Sequence, residues 1–162
     1  MPPASAPVPP AVPPDVLRAS LGQVLFRTAR LFNELAVQRV QQEREPRLRL
    51  AHTTLFPHLN TKGVRPTAIA KQLGVSKQAV GPLLNDLVEW GMIERFADPH
   101  DGRAVLVRLT PLGGAAILDG LRVLRSVEAQ LREELGEAKV EALHTGLTAA
   151  MDVLDRARAE VG

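Results

Sequence analysis

A mainly α-helical fold with one small β-hairpin is what the sequence predicts. Three observations carry that prediction. The first is composition: 45% of the 162 residues are hydrophobic but only 3% aromatic, with one Trp and no Tyr. The core is therefore aliphatic, built largely from Leu, Val and Ala, which favours helices. The second is leucine spacing in steps of three and four over most of the chain, the period of an amphipathic helix. The third is a single switch to a period of two, over residues 92–110, around a cluster of turn formers.

Taken in order, residues 1–14 (MPPASAPVPPAVPP) hold seven of the thirteen prolines and read as a proline-rich disordered tail. From Asp15, a plausible N-cap, Leu17, Leu21, Val24, Leu31 and Leu35 form one stripe. They predict a long helix to about Glu43, ended by the EREP that follows. A second helix is expected over residues 47–59, with Leu48, Ala51, Leu55 and Leu59 on its buried face. A short one runs from Pro66 to Leu73, with proline at a natural first-turn position. Gly74 breaks the chain and Ser76 caps the next helix.

After Gly91, MIERF and AVLVRLT read as two strands, the second with Val105, Val107 and Leu109 on one face, joined by ADPHDGR. Thr110 and Pro111 then open another helix. It carries Ile117, Leu121, Leu124, Leu131 and Leu135 to a break at Gly136, and Val140, Leu143, Leu147, Met151 and Leu154 mark a last one.

Within this order, IAKQLGVSKQAVGPLLNDL has helix-turn-helix spacing. Ala70 is small where two helices cross, Gly74 suits the tight turn, and Val80 plugs the second helix into the core. Plain helical hairpins show the same pattern. A hairpin directly after it makes the arrangement a winged helix-turn-helix, whose second helix enters the major groove of a duplex while the wing reaches the backbone or minor groove.

The stretch LGVSKQAVGPLLNDLVEWGMIERFADPHDGRAVLVRLTPLG resembles the signature region of MarR-type transcriptional regulators. Gly91-Met92-Ile93 matches that family's turn into the first wing strand. Asp98-Pro99-His100-Asp101-Gly102-Arg103 matches its DP-x-D-x-R wing, and Leu109-Thr110-Pro111-Leu112-Gly113 its Leu-Thr-x-x-Gly. Where the family often carries a second arginine, this chain has Gly102. The resemblance implies a homodimer that binds double-stranded DNA sequence-specifically, as a repressor released by a small-molecule effector. It also implies an organisation: an N-terminal dimerisation helix over 15–46, a DNA-binding lobe over 47–110 and C-terminal dimerisation helices over 111–162.

The residues supply candidate roles. With Val80, Leu83, Leu84 and Leu87 facing the core, the opposite face of the recognition helix holds Ser76, Lys77, Gln78, Gly81, Pro82 and Asn85. Ser76 can present its backbone N–H to a phosphate. Lys77 suits a phosphate or a guanine edge, and the Gln78 amide can pair with adenine. Gly81 and Pro82 interrupt an otherwise well-specified helix. Either they let the backbone and the proline ring approach the bases, or they only bend the helix. Arg103 at the wing tip suits the narrow, negative minor groove. Arg95 suits a phosphate. Asp101 cannot face DNA directly and is expected to pair with an arginine that fixes the wing, a role the resemblance also implies. Lys62, Arg65 and Lys71 flank the motif and are either backbone contacts or solvated. His52, Phe56 and Trp90 either line an effector pocket or are core residues.

Several chemistries are excluded. Without cysteine there is no disulfide, thiolate zinc site or Cys nucleophile. His52 and His58 are about 600° apart around a helix, so they do not share a metal. No cofactor motif, phosphate loop or catalytic constellation is present, and no apolar run reaches the roughly 20 residues of a membrane span. The first residues lack the basic-then-apolar order of a signal peptide, so a soluble cytoplasmic protein is expected. Net charge is +2, but residues 1–110 carry +5 and residues 111–162 carry −3. That split suits an anionic polymer as partner. The alternatives are a winged-helix protein-interaction module without DNA binding, and a small enzyme or carrier using a pocket between helices.

Overall fold

The computed structural model describes residues 20–161, so the expectations for the proline-rich segment, Asp15 and Leu17 lie outside the described residues. Helix α1 spans Leu21–Glu43, and a single helical turn, α2, spans Leu50–Thr53. Helices α3 (Pro66–Leu73) and α4 (Lys77–Glu89) follow, then strands β1 (Ile93–Asp98) and β2 (Asp101–Leu109). Helices α5 (Pro111–Leu135) and α6 (Glu137–Val161) complete the chain. This is a winged helix-turn-helix lobe between long N- and C-terminal helices. No described helix is long and apolar enough to cross a membrane.

The lobe core gathers Leu55, Ile69, Val80, Leu84, Ile93 and Val107, all within 2% of full burial. Gly74 closes the helix-turn-helix in the left-handed region (φ 67°), where a Cβ would be strained. Ser76 Oγ then accepts the Ala79 N–H (3.2 Å) and starts α4. The strands pair antiparallel, and Val64 bridges β2 by exchanging two backbone hydrogen bonds with Val107 (2.9 and 3.0 Å).

Three expectations are corrected. The helix predicted over 47–59 stops at Thr53 and resumes only as a 3₁₀ turn, Phe56–His58. Pro57 has no N–H to continue the ladder, and its ring clashes with the carbonyl four residues back. In that segment Leu48, Leu55 and Leu59 are buried as predicted, but Ala51 is exposed and His52 is wholly buried instead. The turn between the strands shrinks to Pro99 and His100, because the Asp98 carboxylate accepts the His100 N–H (2.9 Å) and Asp101 accepts that of Arg103 (3.2 Å). Val105 shares a face with Val107 but reaches past the core toward the wing tip, where it is exposed.

The long helices bury only part of the predicted stripes: Leu35, Leu124 and Val140 turn inward, beside residues that the stripes left out. Ala36 on α1 meets Val123 and Val127 on α5, with Phe32, Leu35 and Leu124 around them. Arg39 donates to Ser126 Oγ and Gln130 Oε1 (2.7 and 2.6 Å) across the same contact. Leu21, Leu31, Leu121, Leu147 and Leu154 stay exposed, and Phe26 is 75% exposed. Among the described residues, the exposed rest of the predicted stripes has no cover within one chain.

Candidate nucleic-acid interface

The sequence 77–89 stays helical through its Gly-Pro. Pro82 is six residues beyond the cap, so its missing N–H leaves only the Gln78 carbonyl without a helical partner. Val80, Leu84 and Leu87 anchor α4 from beneath. The opposite face is open: Ser76, Lys77, Gln78, Pro82 and Asn85 are exposed. A Cβ built on Gly81 would meet nothing within 4 Å, so the glycine answers no packing need inside the chain.

Between this face and the wing lies a cleft lined by Arg65, Lys77, Gly81, Arg95, Arg103 and Val105. Four cations therefore converge on one notch. Two of them are held by the protein. Arg65, the residue before α3, donates to Asp98 Oδ2 (Nη2 2.6 Å, Nε 3.0 Å) and reaches Asp101 Oδ2 at 3.4 Å. It is thus the arginine that meets Asp101, and its main partner is the buried Asp98. Arg95 on β1 donates from Nη2 to Asn85 Oδ1 at 2.6 Å. Among the described residues the side chains of Lys77, Gln78 and Arg103 make no hydrogen bond or ion pair with the protein. Lys62 and Lys71 are exposed, outside the cleft.

Behind α4, Arg49 backbone N–H donates to His52 Nδ1 (3.0 Å), so the ring proton sits on Nε2 and donates to Asp86 Oδ2 (3.0 Å). Arg49 Nη2 holds the same oxygen at 2.5 Å. The His52 hydrogen bond, and then Arg49, keep the Asp86 carboxyl below the usual carboxylate range. The His100 N–H, and then Arg65, do the same for Asp98. A carboxyl depressed by folding adds stability that is fully present above the unfolded carboxylate value, about 4, and is lost as pH falls from there through the lower folded one. The urea midpoint is therefore expected to drop between pH 6 and pH 3. Asp86→Asn should lower it at pH 6 and flatten the profile; an unchanged slope in the variant would remove Asp86 from this role.

Trp90 and Phe56 line a mostly apolar cavity of about 690 Å³ between the lobe and helices α1 and α5, with Asn33 and Arg44 among its polar groups. Arg44 is paired there with Asp119 (2.7 Å). His52, expected beside Phe56 and Trp90, does not reach this cavity. It lies fully buried behind Trp90, edge-on to the indole with ring centroids 4.7 Å apart. Its polarity gave no warning of burial, because the partner that makes burial tolerable, Asp86, is 34 residues away.

A sequence profile described as MarR family matches residues 50–104, the lobe with both sides of the cleft. The lobe, over these residues, is of the MarR type. The multiple antibiotic resistance protein MarR of Escherichia coli K12 is 40% identical over 72 residues, covering 44% of this chain and 48% of that protein. The chain thus spans about half the length of this relative. Beyond that segment the likeness is one of fold. The apo structure of wild-type E. coli MarR has a TM-score of 0.69 at 23% identity, over 81% of this chain and 96% of that one. A probable transcriptional regulator from Pseudomonas aeruginosa has a TM-score of 0.61 at 25% identity, over 83% and 98%. In this MarR-type lobe, all eleven cleft and flanking candidates, from Lys62 to Arg103, fall inside the matched segment. Asn85 as the acceptor for Arg95 escaped the sequence reading, since nothing local links a helix position to a strand ten residues on.

Proposed function

We propose that the chain is a homodimeric transcriptional regulator that binds double-stranded DNA sequence-specifically, acting as a repressor released by a small-molecule effector. One observation carries the reading: the cleft beside α4 collects four cations, and two of them, Lys77 and Arg103, have no counter-charge among the described residues. A phosphate backbone supplies that counter-charge. Ser76, Lys77 and Gln78 then face the major groove, Arg103 the minor groove, and Asp101 with Asp98 sets the wing through Arg65. Arg95, Lys62 and Lys71 flank the duplex path.

The exposed apolar faces of α1, α5 and α6 support a dimer body formed by 15–46 and 111–162, since a lone chain rarely leaves so much apolar surface uncovered. Two lobes (47–110) would meet half-sites roughly 34–36 Å apart. The cavity between lobe and body, walled by Phe56 and Trp90, suits an apolar effector that changes that spacing. The E. coli relative's name, and the description of one solved MarR as a repressor, agree with this reading.

The test is titration of the full chain against duplex DNA from its own promoter region over a range of salt, with sedimentation to read the assembly. Strong salt dependence and the mass of two chains are expected. Gly81→Ala run alongside separates surface from fold. Alanine should raise thermal stability, by up to about 1 kcal/mol, while a methyl at the groove weakens DNA binding. No duplex binding at any salt would favour the interaction-module alternative.

A further inference from the structure

Asn85 stands on the third turn of α4, four residues after Gly81 and seven after Gln78, so it continues the same exposed face. The residues one turn before it, Gly81 and Pro82, carry no polar side chain that would intercept a base. Its amide is not free to turn. Arg95 Nη2 bonds Oδ1 at 2.6 Å, and a guanidinium can only donate. The partner therefore decides which end of the amide is oxygen. This charge-assisted bond draws Oδ1 toward the wing strand and turns the Nδ2 amino group away from it.

An asparagine that reads adenine uses both ends of its amide, donating to N7 and accepting from N6. With its oxygen engaged by Arg95, Asn85 offers the groove a donor. We infer that Asn85, oriented by Arg95, is a specificity-determining residue that selects a base edge rich in acceptors, guanine or thymine, and rejects cytosine, whose major-groove edge shows only the N4 amino donor. Arg95 acts here as a positioning residue and not as a free phosphate contact. The inference rests on the DNA-binding reading above.

The experiment is selection of bound duplexes from a randomised pool by the full-length wild type, Asn85→Asp and Arg95→Ala, with sequencing of the retained DNA. Both side chains are exposed, and thermal melts would verify that the variants fold. For the wild type, one position in each half-site should be depleted of cytosine by roughly tenfold, the discrimination expected of a good base contact. Asn85→Asp, which offers only acceptors, should shift that position to cytosine. Arg95→Ala frees the amide and should raise adenine there. Three identical base profiles, even with altered affinities, would overturn the inference while leaving DNA binding intact. A wild type that retains no duplex would overturn the DNA-binding reading and this inference with it.

Discussion

Arg103→Ala is expected to weaken duplex binding by roughly 1–3 kcal/mol per half-site without loosening the fold. Arg103 is exposed, and its structural contribution is the backbone N–H it donates to Asp101, which alanine retains. Its guanidinium has no counter-charge among the described residues, so nothing inside the chain needs it. A thermal melt should therefore move within the scatter of an ordinary surface substitution, about 0.5 kcal/mol. The salt dependence is the sharper measurement. Each lost phosphate-region contact flattens the plot of log affinity against log salt by about 0.9, so a dimer should lose about 2 units of slope. Gly102, standing where related wings often carry arginine, leaves Arg103 as the one arginine at the start of β2. Equal affinity and slope in variant and wild type would take the wing off the DNA.

The largest loss of stability is expected from Gly113→Ala. Thr110 caps α5 by accepting the Gly113 N–H (3.0 Å), and its hydroxyl donates to the Gly91 carbonyl (2.6 Å). The Thr110 N–H also donates to the Met92 carbonyl (3.1 Å). These bonds press the first turn of α5 against the chain entering β1. A Cβ on Gly113 would overlap the Met92 carbonyl oxygen and lie 2.7 Å from its carbon. Both are backbone atoms, so relief requires moving the helix or the strand. A cost of roughly 3 kcal/mol follows from overpacking of this kind, a fall in Tm of about 10 °C for a chain of this size. Gly114→Ala is the internal control. Its Cβ meets nothing within 4 Å, and alanine there should hold or raise Tm. Matching melts for the two variants would mean that α5 shifts freely over Met92.

The glycine in Leu-Thr-x-x-Gly was readable as part of a pattern, but its reason was not: the atom it makes room for is 21 residues earlier. The same divide runs through the rest of the molecule. Ser76, Gly74 and Pro66 announce their elements because a cap, a left-handed turn and a first-turn proline are local chemistry. Val80, Leu84 and Leu87 follow from period alone, which also puts Ser76, Lys77 and Gln78 on the outer face. Period fails where two apolar faces share one helix. On α5 the Leu121 and Leu135 side chains read as core, yet α1 covers Val123 and Val127 instead. It fails again at His52, Arg65 and Arg95, whose settings depend on Asp86, Asp98 and Asn85 arriving from other elements.

Arg65 has a mechanical consequence. A two-stranded ribbon by itself is marginal in water and would flex about its root. Here β2 is pinned near its root by Val64, and the strand ends beside the turn are pinned by the Arg65 guanidinium on Asp98 and Asp101. Both pins come from adjacent residues leading into α3. The ribbon and the helix-turn-helix are therefore guyed to a single post, and they translate and rotate as one plate. In the proposed dimer, an effector that releases DNA would have to act on the distance and tilt between two such plates, because neither ribbon can fold back while its helix stays seated.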